Sequence, residues 1–144
     1  MIPPFNEHGH LPPGVHSCAW AEFEARFAFS ARRRELLLSL TRALDALGRA
    51  GVVRVWVGGS FVTTKEAPGD VDLCWECSPA VDPAQLDAPF WNGDGLAGTA
   101  DLVDLDVMPD DPGLGLVRLV LSHDLEGRPR GIVLLHLESA RRRR

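Results

Sequence analysis

The sequence is almost without lysine: of the 15 basic residues among 144, fourteen are arginines and one is Lys65. It also lacks any unbroken apolar run long enough to span a bilayer, and Met1-Ile2-Pro3-Pro4-Phe5 has neither the basic nor the apolar region of a secretory signal. A cytoplasmic protein with no membrane association is expected. Cysteine is scarce, and Cys18, Cys74 and Cys77 cannot all pair within the chain, which argues against a disulfide scaffold. With 45% hydrophobic residues, the chain holds enough apolar material for one core but not two, and a multidomain enzyme is excluded.

Positive charge is missing from one stretch in particular. From residue 66 to residue 117 there is no Lys or Arg, while Glu66, Asp70, Asp72, Glu76, Asp82, Asp87, Asp94, Asp101, Asp104, Asp106, Asp110 and Asp111 give −12. The rest of the chain carries +7. Carboxylates brought together repel unless something positive sits among them. The block is therefore a solvated surface or a site whose cation is not encoded in the chain.

Residues 1–16, rich in Pro, Gly and His, have no periodicity and read as an extended arm outside the core; residues 17–140 form a single domain and 141–144 a basic tail. Ser17 is placed to cap a short helix to about Phe27, with Trp20, Phe23 and Phe27 at helical spacing. Ser30 caps a second helix whose apolar face is Leu36, Leu37, Leu40, Ala43, Leu44 and Leu47, ending at Gly51. Arginines dominate its polar face, and Arg32 to Arg34 read as solvated. The period then changes, and strands are expected over 52–57, 71–75, 102–107, 116–121 and 131–137, the last two joined by a hairpin at 124–130. Residues 81–99 read as loop. The fold class is α+β: a mixed sheet of about five strands packed with N-terminal helices.

The first of these strands runs into Gly58-Gly59-Ser60, and nine residues later come Asp70-Val71-Asp72. Paired glycines let a backbone turn sharply and approach a ligand, and a serine at such a turn offers its hydroxyl and neighbouring amides to a phosphate. Aspartates at i and i+2 on a strand share a face and set two hard oxygen ligands side by side for Mg²⁺ (or Mn²⁺). Lys65 lies in the intervening loop. Asp104 and Asp106 alternate on a later strand and offer a third carboxylate.

Gly59-Ser60, Asp70-Val71-Asp72 and the later acidic strand resemble the signature of the DNA polymerase beta-like nucleotidyltransferase superfamily. More closely, the chain is similar to a small bacterial family of minimal nucleotidyltransferase-like domains, through Pro4-Phe5-Asn6, Leu11-Pro12-Pro13-Gly14, Gly59-Ser60-Phe61-Val62 with Lys65 and Pro68, Asp70-Val71-Asp72, and Gly127-Arg128-Pro129-Arg130-Gly131-Ile132-Val133. The resemblance implies transfer of a nucleoside monophosphate from an NTP such as ATP to an acceptor hydroxyl on protein or RNA. It implies metal ligation by Asp70, Asp72 and Asp106, with Asp104 as fallback, a triphosphate held by Gly58, Gly59 and Ser60, and Lys65 at a phosphate. Superfamily members carry further helical parts, for which 144 residues leave little room, so a partner supplies that surface or the substrate is small. The alternative is a non-catalytic module that binds a nucleotide or a protein encoded nearby, such as the neutralising half of a toxin-antitoxin pair.

Other constellations read more plainly. Cys74 and Cys77 have the spacing of a zinc or redox pair but no second pair, and read as ordinary thiols. His8, His10, His16 and Cys18 lie in an arm where such spacings arise by chance. His123 beside Asp124 reads as a polar pair at a strand end, and the Trp20, Phe23, Phe27 stripe as core.

Overall fold

A computed structural model describes residues 1–86, 90, 104–111 and 113–137. Strand β1 (Val15–Cys18) leads into helix α1 (Trp20–Phe27) and helix α2 (Ala31–Arg49); then follow β2 (Arg54–Gly58), a 3₁₀ turn (Gly59–Val62), β3 (Val71–Glu76), a second 3₁₀ turn (Pro83–Gln85), β4 (Leu105–Asp110), helix α3 (Leu116–Leu121) and β5 (Ile132–His136). The sheet order is β1-β5-β2-β3-β4, with β1–β5 and β3–β4 parallel and β2 antiparallel to both its neighbours. This mixed, helix-packed sheet is the expected α+β class.

Helix α2 follows its sequence. Ser30 accepts from the Arg33 amide at 3.2 Å, and Gly51, at φ +102°, ends the helix in a conformation that favours glycine. Its apolar face and the α1 residues Phe23 and Phe27 are buried against Val55 and Val57 of β2, Val71, Leu73 and Trp75 of β3, Leu105 and Val107 of β4, and Val133 and Leu135 of β5. Alternation then sends the intervening strand residues to the opposite face, where Trp56, Cys74 and Ile132 form a smaller cluster beneath Val117 and Leu121.

Four expectations need correction. Residues 116–121 form a helix, not a strand. The buried Asp110 carboxylate accepts from the Val117 amide at 3.1 Å and from Arg118 Nε at 2.7 Å, and Arg118 lies 4.5 Å from the Trp56 ring, so tertiary contacts override a β-branched sequence. Residues 124–130 consequently connect a helix to β5 and form no hairpin between two strands. Ser17 lies in β1, an edge strand that was not expected, and α1 starts after Ala19 without a side-chain cap. Nor is the arm outside the core: Ile2 and Leu11 are buried, Arg26 donates to the carbonyls of Ile2 and Pro3, and the Gly131 and Ile132 amides donate to Leu11 and Gly14. The expected strand over 102–107 corresponds to β4, with 102 and 103 outside the described residues, as are the tail and most of 87–103.

Candidate active site

Gly58 pairs with Asp72 across β2 and β3, and Asp72 pairs with Asp106 across β3 and β4. Asp72 and Asp106 alternate with buried Val71, Leu73, Leu105 and Val107, so both carboxylates stand on the face that α1 and α2 leave uncovered. Asp70, immediately before β3, has the same parity. Burial raises the Asp72 carboxyl to about 7, helped by Asp70 and then Asp106, with Arg130 opposing. Burial and then Asp70 raise Asp106 as well. Three carboxylates therefore feel one another's charge. Among the described residues no three His, Cys, Asp or Glu side chains are gathered closely enough to hold a metal ion.

The turn expected to hold phosphate lies beside this row. Gly59 adopts φ +70°, and a Cβ there would come within 2.2 Å of Asp72 Oδ2, so only glycine lets the backbone pass this close to the carboxylate. At Gly58 a Cβ would press on Leu121 at 2.9 Å and Ile132 at 3.2 Å. Ser60 follows in the 3₁₀ turn. Lys65 is exposed, whereas the cation acting on Asp72 is Arg130, to which the sequence reading gave no separate role. Arg130 Nε is buried and makes no hydrogen bond to any described residue.

Asp104 and Asp106 separate. Asp104 precedes β4 at φ +70°, and its Oδ2 accepts from Arg32 Nη1 at 3.3 Å, so it does not share the Asp106 face. The arginine run at the start of α2 is solvated only in part: Arg34 is exposed, but Arg32 also donates to the Pro68 and Gly69 carbonyls, and Arg33 is fully buried. A groove of about 320 Å³ adjoins the carboxylates, with Asp72 and Asp106 at its polar end and Met108, Leu116, Val117 and Val120 among its apolar walls.

The remaining clusters disperse. Cys74 is buried, its thiol pushed up to about 12 by desolvation, and Cys77 is half-buried; both are free thiols. His10 bridges to Thr63, His16 Nε2 pairs with the Pro12 carbonyl at 2.7 Å, and Cys18 lies in β1. His123 Nδ1 faces the Leu119 carbonyl at 2.9 Å, while the Asp124 carboxylate accepts from the amides of Glu126 and Arg128. No helix among the described residues is long and apolar enough to cross a membrane.

A family model described as "Family of unknown function (DUF6932)" matches residues 3–135. No curated protein and no solved structure matches the chain.

Proposed function

We propose that this chain, which belongs to that family of unknown function, transfers a nucleoside monophosphate from an NTP to an acceptor hydroxyl of a protein or RNA. One observation carries the reading: Asp72 and Asp106 stand side by side in register, within the field of Asp70, where the Gly59 backbone abuts Asp72. Three hard oxygen donors that repel one another suit Mg²⁺ or Mn²⁺, and Asp70, Asp72 and Asp106 would hold it. Bound there, the ion supplies charge neutralisation and acidifies the acceptor hydroxyl. The backbone and hydroxyl of Gly59-Ser60 hold the triphosphate, and Lys65 and Arg130 add positive charge to an otherwise acidic surface. Asp106 accepts the proton of the acceptor hydroxyl as its oxygen bonds to the α-phosphorus and the bond to the pyrophosphate oxygen breaks. The apolar wall of Met108, Leu116, Val117 and Val120 receives the uncharged part of a substrate whose phosphates lie at Asp72.

The test is labelling of a cell extract by purified protein with Mg²⁺ and α-labelled NTPs. Wild type is expected to modify an acceptor and Asp70→Ala to modify none; equal labelling overturns the reading. A second reading, a binding module of the same fold, is favoured by the exposure of α3, where Leu116 is 59%, Leu119 57% and Val120 72% accessible. Tight association with the product of an adjacent gene, undiminished in Asp70→Ala and without labelling, supports that alternative.

A further inference from the structure

Arg33, near the start of α2, has no solvent exposure. Its guanidinium donates to backbone carbonyls: Nε to Lys65 at 2.9 Å, Nη1 to Phe61 at 2.6 Å and Phe27 at 3.3 Å, and Nη2 to Thr63 at 2.6 Å and Ser60 at 3.5 Å. Two rings fix its plane, Phe29 at 4.1 Å and Phe61 at 4.9 Å, and Phe61 packs in turn on Phe23 and Phe27. Four of its five acceptors belong to one loop, the one that joins the glycine turn to Asp70. A buried cation bonded to neutral carbonyls is an expensive way to brace a loop, because its desolvation is not offset by an opposite charge.

What the arrangement achieves is placement. Ser60 and Lys65, the two residues assigned to the phosphates, are both held by their carbonyls, and they keep solvent exposure while Phe61, Val62 and Thr63 between them are buried. The loop is tied from its other side as well, the Thr64 amide donating to the Gly9 carbonyl of the N-terminal arm at 3.0 Å. Lysine at this position would keep the charge but not the planar fork, which alone reaches acceptors on both sides of the loop.

We propose that Arg33 is the positioning residue of the triphosphate loop, holding Ser60 to Lys65 from beneath so that the Ser60 hydroxyl and the Lys65 ammonium are presented to phosphate from one fixed backbone. The proposal rests on the nucleotidyltransferase reading and makes Arg33, which touches no substrate, a determinant of phosphate affinity but not of metal affinity. Three quantities test it in full-length protein: the Kd for Mg²⁺ with a non-hydrolysable ATP analogue, the Kd for Mn²⁺ alone, and amide hydrogen exchange over 60–65. In Arg33→Lys, loss of the fork predicts a nucleotide Kd raised about tenfold, faster exchange over 60–65, and an unchanged Mn²⁺ Kd. Phe61→Leu, which loosens the guanidinium without removing it, is expected to raise the nucleotide Kd and speed exchange over 60–65 by smaller factors, again with the Mn²⁺ Kd unchanged, and decides the matter if the lysine variant does not fold. Unchanged nucleotide affinity in the folded variant, whatever its melting temperature, makes Arg33 a purely structural brace and overturns the proposal alone. Wild type that binds no nucleotide overturns it together with the reading on which it rests.

Discussion

Gly59 and Asp72 constrain each other at the distance of a single atom. Gly59→Ala would combine a left-handed backbone with a Cβ 2.2 Å from Asp72 Oδ2, so it is expected to cost about 1–2 kcal/mol of stability and to lower nucleotide affinity, read by denaturant unfolding and calorimetry. Asp72 itself has a folded-state pKa of about 7 against an ordinary carboxyl value of 3.8, raised first by burial and then by Asp70 and Asp106. The folded state therefore binds this proton more tightly than the unfolded chain. Its contribution to stability is present below pH 4 and is lost as pH rises to 7. Asp72→Asn is accordingly expected to raise the apo-protein melting temperature strongly at pH 8, less at pH 5, and hardly at all below pH 4. A third expectation concerns the cations. The sequence singles out Lys65 because it is the only lysine, but Arg130 is the residue that acts on Asp72, so Arg130→Met should weaken nucleotide binding more than Lys65→Ala does. Equal effects in calorimetry would return the weight to Lys65.

Helix α3 shows where local sequence stops deciding structure. Residues 116–121 alternate poorly and are rich in Leu and Val, and a strand is the natural expectation; what makes them helical is a carboxylate six residues upstream. Asp110→Ala removes both the Val117 amide contact and the partner of Arg118, and should cost about 3 kcal/mol, the scale of breaking a buried ion pair. It should also unfold α3 first, seen as loss of hydrogen-exchange protection there while α2 stays protected. Strand β1 was missed for a different reason: four residues at a sheet edge, half-buried and carrying His and Ser, give no periodic signal. By contrast α2 was legible because it buries one face at a steady period, and β2, β3 and β5 because each is a short run of branched and apolar residues buried on both faces. The candidate site was legible to the extent that it depends on local spacing: Asp70 and Asp72 at i and i+2, and the glycine turn. The split between Asp104 and Asp106, and the burial of Arg33 within a run that reads as solvated, depend on what packs from elsewhere in the chain, Arg32 and the 60–65 loop, which no local pattern encodes.

For the molecule as a whole, charge is divided between a stretch holding −12 and a remainder holding +7, and the acidic stretch supplies three carboxylates to one end of an open sheet face. The helices bury the other face, so the fold's stability is bound to a site that repels itself whenever it is empty and fully ionised. A cation that binds the folded state and not the unfolded chain raises stability by RT ln(1 + [L]/Kd), or about 2.7 kcal/mol at a hundredfold excess over Kd. Protons and the cation compete for the same oxygens, and Asp72 titrates at about 7. Mn²⁺ is therefore expected to raise the melting temperature strongly at pH 8 and weakly at pH 5, at matched ionic strength, and Asp72→Asn is expected to remove most of the difference. General screening of the acidic surface predicts otherwise: Mn²⁺ and Ca²⁺ would then act alike, the Asn substitution would matter little, and the pH dependence would follow the ordinary carboxylate range near 4. A rise that is the same at both pH values, or the same in wild type and Asp72→Asn, would show that no cation is held between these strands.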